Sequence, residues 1–189
     1  MSNRKVVIPN GFFGTGSDKI LKVDNLVSPE EIENILSIVD DPKIWNHESK
    51  NTTWINRIAD GNVLLRTYPD ILEIIGNVQT RLSYKISKFY DVELGRPDRS
   101  IVRWFPGNYQ LPHADNTYYP NYHIGSIIYI NSDYEGGELF FPQHEITLKP
   151  VSGQAFAFPG DDHYLHGVNE VTQGMRYTIP TFWKVISYE

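Results

Sequence analysis

The sequence predicts a mainly β protein of the α+β class, a sandwich or barrel with helices laid over one sheet. Three observations predict it. From Ser100 onward, short runs rich in Ile, Val, Phe, Tyr and Trp alternate with Gly, Pro, Asn and Asp turns. The first half instead carries two stretches of apolar residues at three- and four-residue intervals. The 189 residues show no internal repeat and no linker, which sets a single domain. We expect residues 1–98 to form a helical support region and residues 99–189 the β core.

Taken in order, Gly11-Phe12-Phe13-Gly14-Thr15-Gly16 lacks the spacing and the lysine of a phosphate loop and reads as a surface turn. The first helix starts where Ser28 can cap, Pro29 fits the first helical position and Glu31 completes a capping box. Ile32, Ile35, Leu36 and Val39 form its apolar stripe, and Asp40-Asp41-Pro42 ends it. Trp45 to Leu65 has no clear period and is given short strands at most. Trp45, Trp54 and Arg57 fall there, either lining a substrate groove or packing in the core. A second helix is expected from about Tyr68 or Pro69 to Tyr90, with Ile71, Leu72, Ile75, Val78, Leu82, Ile86 and Phe89 on its apolar face. The β runs follow at Ile101 to Phe105, Ile124 to Ile130, Glu138 to Phe141, Ile146 to Leu148, Gln154 to Phe158 and Arg176 to Ser187.

Composition narrows the function. Lys and Arg number 17 against 23 Asp and Glu, a net charge of −6 without a basic run, so nucleic acid and anionic membrane are not expected partners. With no cysteine, disulfides, thiolate nucleophiles and thiolate metal sites are excluded, and any metal must take imidazole, carboxylate or water. No apolar stretch of membrane-spanning length occurs, and Met1 to Val6 does not lead into a secretory leader, so the cytoplasm is the expected compartment.

Of the six histidines, two have chemical company. His113-Ala114-Asp115 in an extended strand projects an imidazole and a carboxylate to one face. His166, 53 residues later, would complete two histidines and one carboxylate on one face of an octahedron. That set suits Fe(II), because the opposite face stays open to a bidentate organic acid and dioxygen. Arg176 lies ten residues beyond His166, and a turn at Gln173-Gly174 would return the chain as a strand with Arg176 and Thr178 on one face. An inward guanidinium is costly without a carboxylate, which a dicarboxylate co-substrate would supply. His163 competes as the second histidine, but its tenth successor is Gln173, not a cation. His47, His123 and His144 lack such partners and are assigned to surface or hydrogen-bonding roles, with His123 close to the mouth. Tyr118-Tyr119-Pro120-Asn121-Tyr122 forms either an aromatic lip over the substrate or packing on the rim.

From about Ile101 to Trp183 the sequence resembles the Fe(II)- and 2-oxoglutarate-dependent dioxygenases, most closely the prolyl 4-hydroxylase-like group. The resemblance is carried, in order, by Arg103-Trp104-Phe105-Pro106-Gly107, His113-x-Asp115, Ile128-Tyr129-Ile130-Asn131, Glu135 to Pro142, Pro150-x-x-Gly153-x-Ala155-x-x-Phe158, and His166 to Arg176. It implies a double-stranded β-helix, a jelly-roll barrel with His113, Asp115 and His166 as iron ligands at its mouth. It implies that Arg176 binds the distal carboxylate of 2-oxoglutarate, helped by Tyr129 and Thr178. Trp104 stands where many members have a tyrosine that contacts this co-substrate, so an indole N–H replaces a hydroxyl there.

The implied reaction takes Fe(II), 2-oxoglutarate, O2 and ascorbate as reductant, and hydroxylates an unactivated C–H bond with release of succinate and CO2. Asp115 favours hydroxylation over halogenation, since related halogenases carry a small residue at that ligand. The resemblance favours a prolyl residue of a peptide or protein as substrate. A small molecule, another amino-acid side chain, a catalytically silent metal-binding jelly roll and a zinc hydrolase are the alternatives.

Overall fold

The structure, a computed structural model, describes residues 6–46, 52–117 and 119–188. The first helix, α1 (Pro29–Leu36), starts as its sequence dictates: the Ser28 hydroxyl accepts from the Glu31 N–H, and the Glu31 carboxylate accepts from the Ser28 N–H. A short α2 (Gly61–Thr67), capped by Asp60, was not expected, because seven residues are too few to set a period. It runs into α3 (Pro69–Tyr90), which closes on Asp91 in the left-handed conformation.

Among the described residues there are also fourteen short strands. They are β1 (Leu21–Val23), β2 (Ile58–Asp60), β3 (Val92–Leu94), β4 (Ser100–Trp104), β5 (Gln110–His113), β6 (Ile124–Tyr129) and β7 (Glu135–Gly136). There follow β8 (Leu139–Phe141), β9 (Ile146–Leu148), β10 (Ala155–Pro159), β11 (His166–Val168), β12 (Val171–Gln173), β13 (Arg176–Trp183) and β14 (Val185–Tyr188). A six-stranded sheet runs β1-β10-β6-β13-β4-β2 and a four-stranded sheet β5-β11-β8-β9; β12-β7 and β14-β3 form two-stranded ribbons. All pairings are antiparallel. The run expected from Arg176 to Ser187 is broken at Lys184, so its last part leaves the large sheet to pair with β3.

Alternation in the large sheet separates its two faces. Ile128 on β6, Ala155 and Ala157 on β10 and Ile179 on β13 share one apolar cluster with Ile35 of α1 and with Ile75, Val78, Leu82 and Ile86 of α3. The helices therefore cover the outer face. Each fully buried Ile or Leu there contributes about 1.5–3 kcal/mol. The intervening residues, Ile127 and Tyr129 on β6 and Arg176 and Thr178 on β13, point away from the helices to the space between the sheets. That space is the cavity that holds the chemistry.

Candidate metal and co-substrate site

Register brings the site together. His166, the first residue of β11, pairs directly with His113, the last residue of β5, so the two rings lie 4.5 Å apart across the small sheet. Asp115 is not in the same strand as His113, as the sequence suggested. The chain turns at Ala114, and Asp115 opens a single 3-10 turn whose Thr117 N–H donates to the Ala114 carbonyl. The turn still delivers the carboxylate to the imidazoles: Asp115 Oδ1 is 3.7 Å from Nε2 of both His113 and His166. The three candidate ligand atoms lie within 4.8 Å of one another.

The surroundings prepare these groups to hold a cation. Nδ1 of His113 is 3.0 Å from the Leu111 carbonyl and Nδ1 of His166 is 3.1 Å from the Tyr164 carbonyl. A carbonyl only accepts, so each Nδ1 carries the proton and each Nε2 presents its lone pair toward Asp115. Burial pushes His166 down to about 4, which keeps the ring neutral and available as a ligand. Burial lowers His113 too and raises the Asp115 carboxyl well above the ordinary aspartate range. Asp115 Oδ2 is buried without a hydrogen-bond partner. A divalent cation would offset this uncompensated acid, so the donor set fits Fe(II) on an observation of its own. Gly125 is required alongside, because a Cβ there would collide with Asp115 Oδ2 and Phe158.

The other end of the same cavity is cationic. Arg176 is opposite Trp104 in the β13–β4 register, and Thr178 is opposite Tyr129 in the β13–β6 register. Arg176 is 1% exposed, its Nη2 donates to the Tyr129 hydroxyl at 3.3 Å, and its Nε has no partner. Its guanidinium carbon is 5.0 Å from the Trp104 ring centroid and 5.1 Å from that of Tyr129. Among the described residues no carboxylate reaches it. Burial pushes the Tyr129 phenol up to about 12, so it stays protonated. Trp104 Nε1 is a further buried donor without a partner. The cavity joining the two ends, about 420 Å³, is walled mainly by apolar side chains such as Ile127, Phe158 and Val168.

His163 is exposed and lies outside the cluster, which His166 joins. His144 Nε2 meets the His163 carbonyl, and His123 is buried, its Nδ1 accepting from the Val185 N–H. His123 is absent from the cavity wall. His47 and Tyr118 lie outside the described residues. Tyr119, Tyr122 and Phe182 do reach the cavity, as a row of rings with centroids 4.9 and 4.8 Å apart. Trp45 is core, donating to the Val39 carbonyl, whereas Trp54 lines the cavity. Sequence reasoning missed Tyr134, buried near enough to Arg176 for the guanidinium to oppose the upward push of burial on its phenol. Its place directly before Glu135-Gly136-Gly137 was the available signal.

Comparison with known proteins agrees with this geometry. Residues 100–184 match the family model of the 2OG-Fe(II) oxygenase superfamily, which spans both ends of the cavity. No curated protein matches the chain. Viral collagen prolyl hydroxylase from Paramecium bursaria Chlorella virus-1, in its 2OG complex, superimposes with a TM-score of 0.66 at 19% identity, covering 89% of this chain and 97% of that one. A Pseudomonas putida prolyl-4-hydroxylase gives 0.67 at 13%, covering 89% and 93%. A Trichoplax adhaerens prolyl hydroxylase in complex with a hypoxia inducible factor oxygen degradation domain peptide gives 0.63 at 14%, covering 89% and 84%. These likenesses establish the double-stranded β-helix fold, and the resemblance read from the motifs stands.

Proposed function

We propose that this chain is an Fe(II)- and 2-oxoglutarate-dependent dioxygenase that hydroxylates a prolyl residue of a peptide or protein, releasing succinate and CO2. The observation that carries the reading is one cavity with a two-histidine, one-carboxylate cluster at one end and, at the other, a buried arginine that no carboxylate among the described residues reaches.

In this reading His113, Asp115 and His166 would hold the iron. Bound Fe(II) with 2-oxoglutarate and O2 supplies the oxidising chemistry, and ascorbate serves as reductant. Arg176 takes the distal carboxylate of the co-substrate, where a charge-assisted pair in a buried site is worth most. Tyr129, Thr178 and Trp104 present O–H and N–H donors beside it. Ile127, Phe158 and Val168 exclude water from the space between. The prolyl substrate is supported by the prolyl hydroxylases among the similar structures. It is supported also by the row Tyr119, Tyr122 and Phe182, a surface suited to a proline-rich chain.

The test is succinate formation from 2-oxoglutarate by anaerobically reconstituted protein given Fe(II), O2 and ascorbate, with and without a proline-rich peptide. His166→Ala and Arg176→Ala run beside it. Peptide-stimulated turnover, lost in both variants, is the expected result. Turnover that no peptide stimulates would remove the prolyl substrate, and iron binding without any turnover would remove the enzyme.

A further inference from the structure

The segment ahead of β2 contributes a second buried guanidinium to the cationic end. Arg57 is 2% exposed, and its guanidinium carbon sits 4.4 Å from the Trp54 ring centroid and 4.2 Å from that of Trp104. The two indoles meet edge to face with centroids 5.8 Å apart, so Arg57 fills the corner between them. Trp104 therefore touches both Arg57 and Arg176, and the contacts run unbroken from Trp54 through Arg57, Trp104 and Arg176 to Tyr129.

The backbone fixes Arg57 firmly. Asn56 takes a left-handed φ of 58°, the Arg103 N–H donates to the Arg57 carbonyl at 2.9 Å, and the Arg57 N–H donates to Asn46 Oδ1 at 3.1 Å. The guanidinium donates to two backbone carbonyls, from Nε to Arg103 at 3.3 Å and from Nη1 to Thr53 at 3.1 Å, while Nη2 is left without a partner. Among the described residues no carboxylate pairs with it. Burial first, and then the charge of Arg176, push it down to about 10, still far from neutral. A residue kept there only to fill space would be better apolar, because a buried, incompletely paired cation is costly. Its planar face against the indole does what an aliphatic side chain does not: it fixes the ring by cation–π contact.

We propose that Arg57 is a positioning residue for the co-substrate end of the cavity, holding the Trp104 indole so that its N–H meets the carboxylate of 2-oxoglutarate. The inference rests on the proposed function, since it takes that co-substrate to lie between the metal cluster and Arg176. Arg57 acts through Trp104 and does not itself touch the co-substrate.

The experiment uses the Zn(II)-loaded protein, which binds without turning over. Titration with 2-oxoglutarate is followed by calorimetry and by the indole ¹H–¹⁵N resonances, with Trp104 assigned from Trp104→Phe. The Trp104 resonance is expected to move on saturation. Arg57→Lys, which keeps the charge and loses the planar face, is expected to weaken 2-oxoglutarate about tenfold with zinc affinity unchanged. Trp104→Phe should weaken it similarly, and Arg57→Lys in that background should add almost nothing, the coupling expected when one residue works through the other. An unmoved Trp104 resonance at saturation, full affinity in Arg57→Lys, or additive losses in the double variant would overturn the proposal. Unchanged resonances of Trp45 and Trp183 in each variant establish that the fold persists. If the wild-type protein binds no 2-oxoglutarate, or Arg176→Met binds it undiminished, the underlying function reading falls; the first three outcomes leave that reading standing.

Discussion

The two ends of the cavity are opposite in charge and alike in being unfinished. At the metal end, a buried carboxylate has one oxygen without a partner and two imidazoles kept neutral beside it. At the other end, Arg57 and Arg176 bring two buried guanidiniums against one indole without an acid within reach among the described residues. Either arrangement alone weakens the folded chain, because a desolvated charge lacks its counterpart. In the proposed function one guest completes both: a cation at one end, and an anion long enough to reach from that cation to Arg176. Asp115 Oδ2 and Arg176 Nε both lack a hydrogen-bond partner within the fold, and the proposed ligands would supply one to each.

The comparison breaks most sharply at the metal end. Asp115→Asn is expected to weaken metal binding by more than about a hundredfold, since a neutral amide replaces the one carboxylate of the proposed ligand set. The metal-free variant should melt no lower than the wild type, because the desolvated carboxylate is gone. Metal titration and thermal melting of the same samples check both halves; a large fall in apo melting temperature would make Asp115 a structural residue.

Arg176→Met addresses the opposite end and should leave metal affinity intact. Losing one partner of a buried charge pair costs about 2–5 kcal/mol, so 2-oxoglutarate binding should fall by at least roughly thirtyfold. Calorimetric titration of the Zn(II)-loaded variant measures it. Equal loss of metal and co-substrate would mean that the two ends are not independent.

The ends also differ in how far the sequence discloses them. The metal end is legible because spacing and register do the work: His113 and Asp115 are near neighbours, and the antiparallel pairing of β5 with β11 sets His166 opposite His113. Even there the local geometry was misjudged, since Asp115 sits in a 3-10 turn and not in the strand, and a two-residue spacing fits both. Arg176 and Thr178 were legible from strand alternation alone. Arg57 was not. It sits in a stretch without hydrophobic period, and its place depends on pairing with Arg103, 46 residues away. The same holds for β1, which forms only because β10 offers it an edge. α3, with its long apolar stripe and proline at the start, begins at Pro69, one of the two starts the sequence allows, and ends at Tyr90 as expected.

A smaller effect is expected midway, on the rim. Phe182 stacks on Tyr122 at 4.8 Å with the ring planes 11° apart. An aromatic pair is worth about 0.5–1.5 kcal/mol beyond its buried area. If the rim holds the substrate, Phe182→Ala should raise KM for the peptide about two- to tenfold, with 2-oxoglutarate and metal affinities unchanged. Steady-state kinetics with the peptide varied at saturating co-substrate decides it, and an unchanged KM would confine the row to packing.

The smallest expected effect comes from a charge pair that is complete. Glu31 meets Arg81 Nη2 at 2.7 Å on the surface, and the same carboxylate accepts from the Ser28 N–H. Partial burial raises the Glu31 carboxyl, but the Ser28 N–H and Arg81 more than offset that, and the net shift is downward from its ordinary 4.5. A carboxyl lowered by folding stabilises the native state above its unfolded value and loses that contribution as the pH falls through the lowered one. Arg81→Met should therefore cost under about 1 kcal/mol near neutral pH, less in high salt, and nothing once the carboxyl is protonated in both states. Urea denaturation of wild type and variant at neutral pH and at a pH well below the lowered carboxyl value checks the sign. A difference that persists in acid would assign the loss to the Arg81 side chain packing and to its bond with the Leu26 carbonyl, not to the ion pair. The contrast with Arg176 is the point of the measurement: a guanidinium that already has its acid is worth little to remove, whereas one that is kept waiting for an acid should show its worth only when the ligand arrives.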